Sequence, residues 1–274
     1  MLLVATIVVG FVGAGVAGIT ITVFLHRGLT HSAIRVSGPL YTAGRWFTWL
    51  SVFMRHWEWR RIHRKHHLYT DLWLDDVRHD PHSPLVIAER EGIDGFRRVS
   101  WHMAAIFHTE AQVSDIRDDT YEVDGDRPLD RLDRAVFSHP VIGAVVTGLL
   151  YSGIFALGVP PLAGAQRTLL LEALCVVGGV VALGIHIVLV LRFGGAINSD
   201  CHRGKEFIPV AGYATNVGIL SVLIFGEGEH LTHHLHPQLA RISGHWDLGW
   251  RVIQVLKLVG LTDVAVQRAQ VLAS

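Results

Sequence analysis

His63-Arg64-Lys65-His66-His67 has the same spacing as His230-Leu231-Thr232-His233-His234, far along the chain. Positions i, i+3 and i+4 share one helical face. Each stretch therefore predicts a helix aiming three imidazoles in one direction. Two shorter groups accompany them: His26 and His31 frame HRGLTH, and Asn198 and His202 frame NSDCH. Asn198 and His202 share a helical face. His26 and His31 are separated by about 140° on a regular helix, which predicts a helix end or break between them. Imidazole is the commonest protein metal ligand. Nine imidazoles exceed what one ion uses, so the natural count is two ions. A nitrogen-rich set suits Fe, Zn, Cu or Ni, and ligand type alone does not choose among them. Cys175 and Cys201 are the only cysteines, which excludes a cysteine-built zinc or iron–sulfur site.

The shared metal site decides which apolar segments cross a membrane. Half of the 274 residues are hydrophobic and mean hydropathy is +0.36. A span needs about 20 apolar residues. Residues 1–25 are uncharged and lack a basic leader region, so they read as a span rather than a signal peptide. Ala14 and Gly18 add a small-residue spacing suited to close helix contact. Residues 135–166 and 173–191 are also uncharged. Residues 38–57 and 208–226 are ambiguous by hydropathy. A span at either would put histidine clusters on opposite faces of the bilayer. The expectation is an all-α integral membrane protein forming one domain over 1–274, with spans near 3–25, 137–158 and 170–192. Residues 38–57 then form an interfacial amphipathic helix, and 26–134 with 193–274 build a helical cap. Residues 26–134 hold 15 Arg and one Lys against one Arg in 159–172, which places the cap, and the active site, in the cytoplasm. Charge is balanced at 24 against 24, with no basic excess for nucleic acid.

A metal-bound imidazole usually donates its second nitrogen to a carboxylate or carbonyl. Asp71, Asp75, Asp76, Asp80, Glu227 and Glu229 are the acceptors near the clusters, and His56, seven residues before His63, is a further supporting side chain. His79, His82, His102, His108, His139, His186, His236 and His245 read as structural or surface histidines. Trp46, Trp49, Trp57 and Trp59, with Phe47 and Phe53, form an aromatic stretch suited to a substrate tunnel or to interfacial anchoring. Arg55, Arg60, Arg61 and Arg64 cluster where they would bind phosphates or serve positive-inside topology. The acidic-basic stretch 110–134 reads as a solvated part of the cap.

HRGLTH, WRRIHRKHH with the later DPHSP, INSDCH and GEGEHLTHHLHP together resemble membrane-bound fatty acid desaturases of the acyl-coenzyme A type, over about residues 5–240. The resemblance implies two iron ions held by His26, His31, His63, His66, His67, His202, His230, His233 and His234, with Asn198 reaching one iron through water. It implies an oxygen-dependent enzyme that places a cis double bond in a long acyl chain. The expected substrate is an acyl-CoA, with delta-9 regiochemistry, or an acyl-carrier protein. Electrons would come from a separate ferredoxin, rubredoxin or cytochrome. Three departures stand out: one span rather than two precedes the first histidine box, Leu68 to His79 is longer than in animal members, and Asp200-Cys201 replaces small apolar residues. A hydroxylase or acetylenase on the same scaffold is the rival reading within enzymes. A metal transporter or sensor is the rival outside them, but it would place ligands inside spans, where only His186 falls.

Overall fold

The computed structural model describes residues 2–162, 164, 166–242, 244 and 246–265; His245 lies outside them. In chain order the elements are α1 (Leu2–Ile19), β1 (Ile34–Val36), α2 (Gly38–Phe47), α3 (His56–Tyr69), α4 (Pro84–Glu91), α5 (Gly95–Glu110), α6 (Ser114–Arg117), α7 (Pro140–Leu162), α8 (Leu169–Asp200), α9 (Gly218–Leu223), α10 (His230–Leu235), α11 (Leu248–Leu258) and β2 (Thr262–Val264). Among the described residues, three helical runs are long and apolar enough to span a membrane: Leu2–Thr30, Pro140–Leu162 and Leu169–Asp200. They match the three expected spans. The chain divides into two compact units, one of residues 1–18, 45–55 and 129–190, the other of 19–44, 56–128 and 191–274.

The first unit has the burial pattern expected of lipid as solvent. In α1 the buried residues are Thr6, Gly10, Gly13, Ala14 and Ala17, while Leu3, Val4, Ile7, Val8, Phe11 and Val12 are exposed. Small residues let helix backbones approach: a Cβ on Gly179 would lie 2.5 Å from the Ser152 nitrogen. Phe155, Val159, Cys175 and Ala182 form the apolar centre of this unit. His186, buried in mid-span, is satisfied at both nitrogens, by Tyr151 Oη at 3.0 Å and the Ser51 carbonyl at 2.8 Å. It keeps its structural role. Residues 38–57 do not form one long helix. α2 gives way to a wider-turned segment, Thr48–Val52, which stops at left-handed Phe53.

The second unit carries the histidine clusters. The helical run of α1 continues through Thr20–Thr30 with i→i+5 hydrogen bonds rather than i→i+4. Such turns are rare and occur mostly singly, often at functional sites; here they extend over eleven residues. The His31 amide donates to the His26 carbonyl at 3.1 Å, so residues five apart come nearly into line. The helix ends at His31, in line with the helix end or break that the spacing predicts, and it is also widened between His26 and His31. Ser83 caps α4, accepting from the Leu85 and Val86 amides, with Pro84 at its first position. Residues 208–226 form turns and the short α9, not a span. β1 and β2 pair antiparallel, Ile34 opposite Val264, a small addition to an otherwise helical fold. Val23, Ala33, Ile34, Ala240 and Ile253 form the apolar core beside them.

Candidate metal centre

The nine histidines gather into two pockets. Ring nitrogens of His26, His31, His63, His67 and His233 lie within 4.8 Å of one another, as do those of His66, His202, His230 and His234. Each triplet is therefore divided rather than aimed as one. On α3, His63 and His67 face the first pocket and His66 the second. On α10, His233 faces the first, and His230 and His234 the second. A step of four keeps a helical face and a step of three turns it slightly the other way, enough to serve two ions about one helix. His202 lies just past the end of α8, its amide donating to the Ser199 carbonyl at 3.1 Å, so it sits on a turn rather than in the helix. Asn198 is half-buried one turn before it, and its amide donates to the Gly194 carbonyl at 3.0 Å.

Three carboxylates orient the rings. His66 Nδ1 donates to Asp80 Oδ2 at 2.8 Å, and His202 Nδ1 to Asp71 Oδ2 at 2.9 Å. His26 Nδ1 lies 2.7 Å from Glu227 Oε2, off the straight line of an ideal hydrogen bond. Asp71 and Asp80 are fixed by one another's loop. The Asp71 amide donates to Asp80 Oδ2 at 2.8 Å, Tyr213 N donates to Asp71 Oδ2 at 2.8 Å, and Ser83 Oγ donates to Asp71 Oδ1. Asp71 adopts a left-handed backbone, φ 58°. That conformation is uncommon outside glycine, though Asp tolerates it better than most.

Burial decides the electrostatics. It holds the imidazoles of His31, His63, His66, His67, His230, His233 and His234 well below their ordinary range, and the neighbouring imidazoles lower them further. They are neutral, as ligands must be. Burial also opposes a charge on His202, but the Asp71 carboxylate outweighs it and raises the group. Burial, then the nearby Asp71, pushes the Asp80 carboxyl up to about 8. For Glu227 burial is outweighed by His26 and Arg27, and the net shift is downward.

The residues fit a pair of metal ions. Nε2 atoms face one another at 2.9 Å (His26 and His233; His233 and His67), 3.0 Å (His202 and His230), 3.1 Å (His234 and His230) and 3.2 Å (His63 and His67; His66 and His234). Two nitrogens each about 2.1 Å from one ion and at right angles to it are about 3.0 Å apart, whereas a tetrahedral edge is about 3.4 Å. His66 and His202 spend their Nδ1 protons on carboxylates, so both present an Nε2 lone pair to a neighbouring Nε2. A cation relieves that arrangement.

The remaining predicted residues separate. Glu227 and Asp80 each lie against a pocket histidine, at 2.7 Å from His26 and 2.8 Å from His66. Asp75 is half-buried and bound to Arg78 at 2.7 Å, and Asp76 is exposed. Glu229 accepts from Ser221 Oγ at 3.2 Å. His56 is buried with Tyr41 Oη 3.3 Å from its Nε2. Trp59 stacks on His63 at 4.9 Å, and Trp57 packs edge-on to His56. Trp46 and Trp49 belong to the other unit, where both pack on Phe137 and Trp49 donates to the His139 carbonyl at 2.9 Å. Trp57 and Trp59 belong to the histidine-bearing unit. Arg60 and Arg61 require a correction. Both are buried, and both pair with Glu122; Arg61 also reaches Asp119, and Arg60 reaches Asp126 at 3.4 Å. A buried guanidinium needs a counter-charge, and residues 119–126, expected to be solvated, supply it. These two arginines are internal struts, not an open phosphate clamp. Sequence reasoning missed Arg27, Thr22 and Asp247 around Glu227. It also missed His82, buried 4.3 Å from the His66 ring. For Arg27 the signal was a charge at the foot of an apolar run.

A family model described as fatty acid desaturase matches residues 1–242. The chain belongs to the fatty acid desaturase family. Among curated desaturases it is 28% identical to a palmitoyl-monogalactosyldiacylglycerol delta-7 desaturase of Arabidopsis thaliana, over 93% of this chain and 60% of the relative. It is 30% identical to an acyl-CoA C20 Delta5-desaturase of Anemone leveillei, over 92% of this chain and 70% of the relative. It is 26% identical to an sn-1 stearoyl-lipid 9-desaturase of Synechocystis, over 89% and 66%. The chain thus spans about 60% of the length of the first of these relatives. As a family member it has helices long and apolar enough to cross a membrane and histidine clusters that could hold metal, in agreement with the expected architecture.

Proposed function

We propose that this chain is an oxygen-dependent acyl desaturase working as one domain, with one iron in each histidine pocket. The observation that carries the reading is the set of six Nε2 pairs at 2.9–3.2 Å inside a desaturase-family chain. Two irons held there would supply the O2-dependent oxidation that removes hydrogens from adjacent methylenes. The protein's own work is to hold seven of the nine imidazoles neutral, to fix three of the nine rings through Asp71, Asp80 and Glu227, and to exclude water. Asn198 would support one ion through water. Trp59, stacked on His63, is the aromatic residue best placed to confine an acyl chain next to the pockets. An unactivated methylene offers no polar handle, so selectivity must come from positioning.

The substrate is a long acyl chain presented from the bilayer, as a thioester or within a lipid; the relatives' names include both kinds. The pairing of Arg60 and Arg61 removes the residue argument for coenzyme A alone. Electrons come from a separate ferredoxin, rubredoxin or cytochrome, and the metal pockets face the cytoplasm. The test is expression in a desaturase-deficient host with mass spectrometry of fatty acids by lipid class. New chains two hydrogens lighter support the reading, and their position and carrier assign the substrate. Chains gaining one oxygen would assign a hydroxylase. Bound zinc without an O2-dependent product would assign a transporter or sensor.

A further inference from the structure

The five-histidine pocket is held from outside by a second layer. Arg27 is fully buried directly beside His26. Its Nη1 contacts Asp247 Oδ1 at 2.9 Å and donates to the Ala240 carbonyl at 2.9 Å; its Nη2 reaches Glu227 Oε1 at 3.4 Å and the Phe225 carbonyl at 3.3 Å. Thr22 donates its hydroxyl to the same Glu227 oxygen, leaving Oε2 toward His26. Asp247 is buried and does two jobs. It caps α11 by accepting from Trp250 N at 2.7 Å, and it accepts from Ile242 N at 3.0 Å. Two glycines make room for this group. A Cβ on Gly226, whose φ is +103°, would lie 2.7 Å from Asp247 Oδ1, and a Cβ on Gly249 would lie 3.1 Å from Arg27 Nη2. The chain has thus cleared space from two segments for one guanidinium and one carboxylate. Asp247 lies beyond residue 242, where the family match ends.

We propose that Asp247 and Arg27 form a buried clamp that fixes Glu227, and through it His26, so that metal binding in the five-histidine pocket depends on a positioning residue past the last histidine cluster. This rests on the two-iron reading above. Neither residue touches a pocket nitrogen in the role assigned here; each acts through Glu227. The four-histidine pocket is oriented by Asp71 and Asp80 instead and does not share the clamp.

The test is Asp247→Asn in the full-length protein, purified in detergent and loaded anaerobically with ferrous iron. Asn caps helices as well as Asp does, so the α11 cap is kept, while the charge facing Arg27 and the oxygen that accepts from Ile242 N are lost. Loss of such outer support typically weakens metal binding about 10–100-fold. The expected result is about one tightly held iron per chain against about two in the unaltered protein, with one Mössbauer component lost and the other unchanged. Asp247→Glu, which restores the charge, should recover part of the second iron. Gly249→Ala, which keeps both charges and crowds the guanidinium, should weaken the same component and serves if Asp247→Asn does not fold. Two irons with an unaltered spectrum in both Asp247→Asn and Gly249→Ala would overturn the clamp. So would equal loss of both irons. Failure of the unaltered protein to bind two irons would overturn the two-iron reading itself.

Discussion

The two histidine pockets reach similar ends by different supports. The four-histidine pocket has two of its rings, His66 and His202, hydrogen-bonded to carboxylates on one loop. Asp71 and Asp80 are tied to each other and Asp71 to Ser83, so the loop is a local brace whose two carboxyl groups lie within 14 residues of His66 in sequence. The five-histidine pocket has one ring, His26, against a carboxylate, and that carboxylate is held by groups up to 220 residues apart in sequence. One pocket is braced locally and the other by closure of the whole unit. The difference shows that identical ligand types do not imply equal robustness: the five-histidine pocket depends on long-range packing, the four-histidine pocket mainly on a loop.

The largest expected effect comes from removing a ligand from either pocket. His66→Ala and His233→Ala should each abolish desaturation, by about a thousandfold or more, because the two ions act as a unit and such losses are not additive. The protein should remain membrane-inserted, as checked by fractionation. Near-normal turnover in either variant would falsify the two-pocket account.

Next come the orienting carboxylates, which separate the pockets. Asp80→Asn should weaken iron binding in the four-histidine pocket, and Glu227→Gln in the five-histidine pocket, each by about 10–100-fold. Titration of ferrous iron with Mössbauer detection should show a different component lost in each. Loss of the same component in both would contradict the assignment of one carboxylate set to each pocket.

Acidification should act on metal-free protein with a definite sign. In the unfolded chain the pocket imidazoles take up protons near about pH 6.5. In the folded chain burial keeps seven of them neutral well below that, and holds His82 down to about 3. Below pH about 6.5 the unfolded state therefore binds more protons, and stability falls as pH falls. Asp80, pushed up to about 8, has the opposite sign: its contribution is present at low pH and lost as pH rises through 8. His202, raised by Asp71, also opposes. These two are outnumbered, so the thermal midpoint of metal-free protein should be lower at pH 5.5 than at pH 7.5. A midpoint that rises on acidification would mean the imidazoles are charged in the fold.

The smallest effect is expected away from both pockets. Arg61→Ala leaves Glu122 and Asp119 partly solvated, so the loss should be a few degrees in thermal midpoint, with apparent substrate affinity unchanged. A large rise in KM would restore the arginine pair as a substrate clamp.

The spans and the gathering of the nine histidines were legible in sequence because each rests on a local signal, an uncharged run or a short histidine spacing. Glu227 and Asp80 were legible as acceptors because they lie close in sequence to the histidines they support or to a cluster facing them. The division of HRKHH and HLTHH between two pockets was not. It depends on how α3 and α10 meet the widened turn at Thr20–Thr30, and no residue in that segment announces i→i+5 bonding. The fate of Arg60 and Arg61 was hidden because their partners, Asp119, Glu122 and Asp126, are some 60 residues away, in a stretch whose composition alone reads as solvated. Asp247 was hidden for the same reason, across 220 residues from Arg27.

The central claim is two unlike pockets, each holding one iron. Anaerobic loading of the full-length protein with ferrous iron, read by metal analysis and Mössbauer spectroscopy together, tests it most directly. The account predicts about two irons per chain in two resolved ferrous components. About one iron per chain, or a single component that survives both Asp80→Asn and Glu227→Gln unchanged, would contradict it.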